Sequence, residues 1–239
     1  MLGRQESPDV LAVRRAATHM FTTLDVCRRK WANLSGTGKD ALTRCINARL
    51  SLAHAEAASS FSAPSSLPAG FDLVKKGLTM RALQQRHDAE VDIGPIITSL
   101  AKIASDMRAA VDTFRMRVQA TARGAAGPGF WMVAVLNGES SERILARAVD
   151  AVQGYENELQ LRTRVVAAVS GIVREDHASA NAGAGASTSS KLGQHGGPGW
   201  DADARLLLSA WVLEPHLDHA QLDVLFNGFA AEQVPTRRR

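Results

Sequence analysis

The chain has 239 residues, of which 45% are hydrophobic, 22% charged and only 5% aromatic, with a formal net charge of +4. Two cysteines cannot staple a secreted mini-protein, and no uncharged apolar run approaches the ~20 residues that a bilayer-spanning helix needs. A disulfide scaffold and an integral membrane protein are therefore excluded, and the length suits one domain or two small ones with a useful core.

The N-terminus shows no signal pattern, because Arg4, Glu6 and Asp9 interrupt it, so a cytosolic or nuclear protein is expected. Strand-forming runs are scarce while Ala, Leu, Arg, Gln and Glu favour helix. Ser7, Pro8 and Asp9 read as an N-cap, a proline at the first helical position and an acid favoured by the helix dipole. Val10, Val13, Ala17, Met20, Leu24, Cys27, Trp31 and Leu34 follow in alternating steps of three and four, which places them on one helical stripe. Arg14, Arg15, Arg28, Arg29 and Lys30 fall outside it. Gly36 and Gly38 predict the end of this helix. A second helix is predicted over 40–58, with Leu42, Ile46, Leu50 and Ala53 inward.

The Ser/Pro/Ala-rich stretch 59–70 predicts a flexible linker, and 71–83 reads ambiguously, with a short helix as one option. The next long helix is predicted to start between residues 88 and 95, with Pro95 opening or kinking it. Its seam is Ile93, Ile97, Leu100, Ala104, Met107, Val111, Phe114 and Val118, and 123–129 breaks it. The apolar run 130–136 predicts a buried helical turn or packed loop in preference to a lone strand. Ser140 and Ser141 can cap a further long helix with the seam Leu145, Ala148, Val152, Tyr155, Leu159, Arg162, Val166, Val169 and Val173. Arg162 is its one charged member, a register-setting position. The Ala/Gly/Ser tract 177–199 predicts disorder. Helices are predicted over 201–213 and near 220–230, with a basic tail over 232–239. The fold class expected is all-α: an elongated antiparallel helical bundle or coiled coil of about four main helices with disordered linkers, in a single domain over 8–231.

Chemical motifs are sparse. Gly36-Thr37-Gly38-Lys39 lacks the first glycine of a phosphate loop (Asn33 stands there) and its Ser or Thr (Asp40 stands there). His216 and His219, with Asp218 and Asp223, could share a helical face, yet no third ligand has a recognised spacing. Cys27 lies on a seam and Cys45 beside one, as small buried hydrophobes would. Glu156 and Glu158, two apart, diverge on a helix. No catalytic, cofactor-binding or metal residue is expected, and neither is an enzyme. The pI of about 9.4 and the arginines of the first helix would suit phosphates or an acidic protein surface. A charge run beside a coiled-coil seam is more often a solvated flank, and direct nucleic-acid binding is not expected.

Three patterns occur in a fixed order: Lys30-Trp31-Ala32-Asn33-Leu34, then Tyr155-Glu156-Asn157-Glu158-Leu159-Gln160-Leu161, then Leu208-Ser209-Ala210-Trp211 followed by Pro215. In order, spacing and helical context they resemble the cyclin-dependent kinase 2-interacting protein family, over roughly residues 10–225. The chain resembles a distant member, since Leu24 stands where a further tryptophan is expected and His216 where an aromatic is. The resemblance implies a non-enzymatic adaptor without cofactors, working with AAA-type ATPase subunits and a second small helical cofactor. Its setting would be DNA replication, genome maintenance and maturation of the large ribosomal subunit, with links to cyclin-dependent kinase 2 and checkpoint proteins. Nuclear localisation is implied, with a cytoplasmic share. Trp31, Leu34, Tyr155, Leu159, Leu161, Trp211 and Pro215 are the motif residues that pack the helices or meet a partner. Two other classes fit the seams: a nucleic-acid-associated coiled coil, such as a chromosome-segregation component, and a self-assembling structural coiled coil.

Overall fold

The computed structural model describes residues 7–60, 71–124, 127–136, 138–170 and 200–233. The expected linker over 61–70, Val173, the tract 177–199 and the tail from residue 234 lie outside the described residues. Among the described residues the fold is all-α, with five helices and a two-stranded ribbon. In order they are α1 (Pro8–Ser60), α2 (Phe71–Arg123), a 3-10 turn (Pro128–Met132), β1 (Ala134–Leu136), β2 (Glu139–Ser140), α3 (Ser141–Ser170), α4 (Trp200–Leu213) and α5 (His219–Gln233). Among the described residues no helix is long and apolar enough to cross a membrane.

Within the single domain expected over 8–231, the chain divides into two compact units. The first takes the described residues up to Leu34, those of Ser99–Leu159 and those from Glu214 onward. The second takes those of Ser35–Thr98 and Gln160–Leu213. In the first, Met20 and Leu24 of α1, Met107 and Phe114 of α2 and Ile144 of α3 are fully buried. In the second, Leu42 of α1, Ala89 and Ile93 of α2, Val165 of α3 and Trp211 of α4 make the core. There α1 and α2 run antiparallel: Gly38 lies against Ile96, and six residues later Arg44 pairs with Asp92 at 2.6 Å.

The helix end expected at Gly36 and Gly38 does not occur, and α1 runs unbroken for 53 residues. Ser59 and Ser60, expected to be linker, are helical. A glycine inside a helix costs about 1 kcal/mol, an amount that tertiary packing can override. The two glycines differ in what surrounds them. A Cβ on Gly36 would meet nothing within 4 Å, whereas one on Gly38 would overlap Cζ2 of Trp211 and stand 3.3 Å from Ile96. Gly38 is there for close approach, and its flexibility is incidental. Gly36→Ala should therefore raise stability by about 0.5–1 kcal/mol. Gly38→Ala should lower it by roughly 1 kcal/mol or more, because overpacking against a fixed ring outweighs the same propensity gain. Urea unfolding of the two variants measures both signs, and stabilisation by both would refute the close-packing account.

The start expected between residues 88 and 95 is likewise displaced, since α2 begins at Phe71 and carries Pro95 in its interior. Pro95 and Val91, whose carbonyl loses its helical donor, are both exposed, so water can satisfy that carbonyl. The 71–83 stretch is part of this helix. It reads ambiguously because Leu73, Val74, Leu78 and Met80 are exposed, so no buried stripe marks it.

Over 130–136 the expectation holds in part. A 3-10 turn buries Phe130, and β1 then pairs antiparallel with β2, Ala134 opposite Ser140 and Leu136 opposite Glu139. Gly138, at φ 75°, supplies the left-handed turn between them. Arg14 ties the ribbon to α1 by donating from Nε to the Val135 carbonyl at 2.8 Å. Ser140 caps α3 as expected, its hydroxyl accepting from Arg143 N at 3.3 Å. On α3, Ala148, Val152, Tyr155, Arg162 and Val169 are buried as the seam predicts. Ile144, Glu158 and Val165 replace Leu145, Leu159 and Val166, which are half-buried. Likewise Ile96 replaces Ile97 on α2. Sequence neighbours at these positions both border a buried arc about 100° wide, and packing selects one of the two.

Candidate functional site

The motif residues fall into two separate clusters, one in each unit. In the first unit, α1 contributes Trp31 and α3 contributes Tyr155, both at most 3% exposed. Their rings meet edge to face, with centroids 5.0 Å apart and planes at 74°. This is the favoured geometry for two quadrupoles. Burial pushes the Tyr155 phenol above its ordinary range; the charge of Arg28 opposes the shift and that of Glu214 adds to it. Leu34 and Leu159 are half-buried in the same unit.

Next to this cluster, residues 214–218 fold back toward α3. Glu214 adopts φ 46°, an uncommon left-handed conformation for a non-glycine residue. The Leu217 amide closes the turn on the Glu214 carbonyl at 2.9 Å, and Pro215 is exposed within it. Gly154 makes the approach possible, since a Cβ there would stand 2.9 Å from the His216 carbonyl oxygen. Glu158, fully buried, accepts from the His216 amide at 3.5 Å. A cavity of about 470 Å³ lies between α3 and this segment, floored by Leu217, Leu222 and Leu225, with Arg147, Asp150 and Asp218 among its polar groups.

The second unit holds Trp211, 1% exposed at the end of α4. Its indole Nε1 donates to the Ser35 carbonyl at 3.1 Å. The Arg162 guanidinium lies over the ring, 4.7 Å from its centroid. Arg162 also donates to the Ser35 hydroxyl at 2.6 Å and to the Trp211 carbonyl at 3.4 Å. A fully buried cation is tolerated only where such partners replace its water. Gly38 completes the slot under the ring. Leu161 is half-buried in this unit.

Thus Trp31 and Tyr155 come together, while Trp211 packs with residues no motif contains. Ser35 and Gly38 carry no sequence signal for this role. The buried acid and base on α3 do leave a trace, because Glu158 and Arg162 stand four apart along its inward stripe.

The other chemical candidates have structural partners. Asp218 caps α5 by accepting from the Gln221 amide at 3.0 Å, His219 faces Glu214 at 3.2 Å, and Asp223 pairs with Arg28 at 3.1 Å. Among the described residues no group of three or more His, Cys, Asp or Glu could hold a metal ion. Cys27 and Cys45 are buried, and burial pushes both thiols up, Cys45 to about 11, so each stays protonated near neutral pH. Glu156 turns outward to pair with Arg108 while Glu158 is buried. Of the basic residues on α1, Arg14 binds the ribbon, Arg28 binds Asp25 and Asp223 and stacks on Phe226 at 4.8 Å, and Arg29 binds Asp25.

No protein-family model matches the chain, and no curated protein matches it.

Proposed function

We propose that the protein is a non-enzymatic helical adaptor: a bundle of antiparallel, coiled-coil-like helices that joins partner proteins while the partners perform the chemistry. The observation that carries this reading is the burial of all three motif aromatics. Trp31, Tyr155 and Trp211 are each at most 3% exposed and bond to other helices of their own unit. The motifs therefore hold a scaffold together, and the remaining motif residues are the ones a partner can reach. Those are Leu34, Leu159 and Leu161, half-buried, and Pro215, exposed.

The partner class comes from the resemblance to the cyclin-dependent kinase 2-interacting protein family. It consists of AAA-type ATPase subunits and a second small helical cofactor, with cyclin-dependent kinase 2 and checkpoint or replication proteins as further contacts. The setting would be genome maintenance and large-subunit ribosome maturation, in the nucleus with a cytoplasmic share. Affinity purification of the tagged full chain from its native cell should recover AAA-type ATPases at near-stoichiometric levels. Recovery of unrelated proteins alone would overturn the assignment.

A further inference from the structure

We propose that the outward face of the first half of α2 is a self-association surface, on which a second copy of this chain packs antiparallel. The face goes beyond the adaptor reading and involves none of the motif residues. In this part of α2, Ala82, Ala89, Ile93 and Ile96 point into the second unit and are at most 7% exposed. At 100° per residue, Leu73, Met80, Leu83 and Val91 cluster on the opposite side. They are 73%, 66%, 42% and 58% exposed, which makes a second apolar stripe where a surface helix normally carries polar residues. Lone exposed hydrophobes are ordinary; six lie within residues 73–91, four of them on the outward side and Val74 and Leu78 on the other.

The charge order along the same segment selects the occupant. Beyond Asp72 at the helix start, Lys76 and Arg81 flank the first part of the stripe and Asp88, Glu90 and Asp92 its last part, while Lys75 and Arg86 fall on the inward side. A second copy laid parallel would set base on base and acid on acid. Laid antiparallel about a two-fold axis, it sets the basic half of each helix against the acidic half of the other. The segment is therefore complementary to itself, as an isologous interface requires. Part of the charge is also used inside the unit, where Arg86 pairs with Glu90 at 3.2 Å, Gln84 donates to Asp88 at 2.7 Å and Arg44 pairs with Asp92. Exposed ion pairs are individually weak, so the apolar stripe supplies adhesion and the charges supply direction.

Sedimentation equilibrium on the full-length protein tests this. The unaltered chain should dimerise. The triple variant Lys75→Glu, Lys76→Glu, Arg81→Glu leaves Arg86 as the one Lys or Arg between residues 73 and 92, and Asp88→Lys with Asp92→Lys leaves Glu90 as the one acid there. Each alone should dimerise at least tenfold more weakly, and a 1:1 mixture should restore a heterodimer. Met80→Gln with Leu83→Gln should weaken the dimer as much without altering any charge, and keeps the test valid if a charge variant loses helix by circular dichroism. A monomer at the highest soluble concentration overturns the proposal. So does a dimer indifferent to all three variants, which places the interface elsewhere. Weakening by the variants without rescue in the mixture overturns the antiparallel pairing of the two copies.

Discussion

Trp211→Ala should lower unfolding stability by about 3–5 kcal/mol, the range for deleting a large buried aromatic. Several losses coincide there. The indole is 1% exposed, so its removal leaves a cavity in the second unit. The Ser35 carbonyl loses the Nε1 donor, and Arg162, itself fully buried, loses the ring beneath its guanidinium. Trp211→Phe keeps most of the apolar area and loses the hydrogen bond, so it should cost roughly 1–2 kcal/mol. A double-mutant cycle with Arg162→Ala should show coupling of about 2 kcal/mol, the scale of a desolvated cation–π contact. The slot also makes a prediction about coupling. Gly38→Ala is destabilising beside the indole and should cost less in the Trp211→Ala background, where the approach to Ile96 at 3.3 Å alone opposes the gain in helix propensity. Urea denaturation provides every value, and a Trp211→Ala change within 0.5 kcal/mol of zero would refute the core role.

Where local pattern and packing obey the same rule, the fold was legible. From Val13 to Trp31, each step of three or four lands on a buried residue, because one helix face meets one core. Gly38 predicts a helix end that does not form, because the residue that loosens a backbone is also the residue that lacks a Cβ. Only the distant Trp211 distinguishes these two uses, and a local pattern holds no trace of it. Pro95 predicts a helix start or a kink by the same local rule, and α2 carries it in its interior, beside the exposed Val91 whose carbonyl loses its donor. The candidate site divided in the same way. The pairing of Trp31 with Tyr155 follows from two aromatics on inward stripes. The Ser35–Arg162–Trp211 network joins residues whose separation in sequence is set by the tertiary fold alone. Glu158 and Leu159 exchanged places because both border the buried arc of α3 and packing selects one of the two.

Trp31→Ala should be as damaging in the first unit, again about 3–5 kcal/mol. Here the partner is another ring, so the coupling to Tyr155 is the informative quantity. A cycle of Trp31→Ala, Tyr155→Ala and the double variant should give about 0.5–1.5 kcal/mol, the edge-to-face contribution beyond simple burial. Alkaline titration then separates ring packing from the hydroxyl. Burial raises the Tyr155 phenol above its unfolded value, so the folded state retains a proton that the unfolded chain releases once pH passes about 10. Stability must therefore fall as pH rises through that point. Tyr155→Phe keeps the ring and removes the titrating group, so its stability should decline less steeply than that of the unaltered chain. Parallel alkaline curves for the two proteins would mean that the phenol ionises without hindrance, and the buried Trp31–Tyr155 contact would have to be abandoned as the centre of this unit.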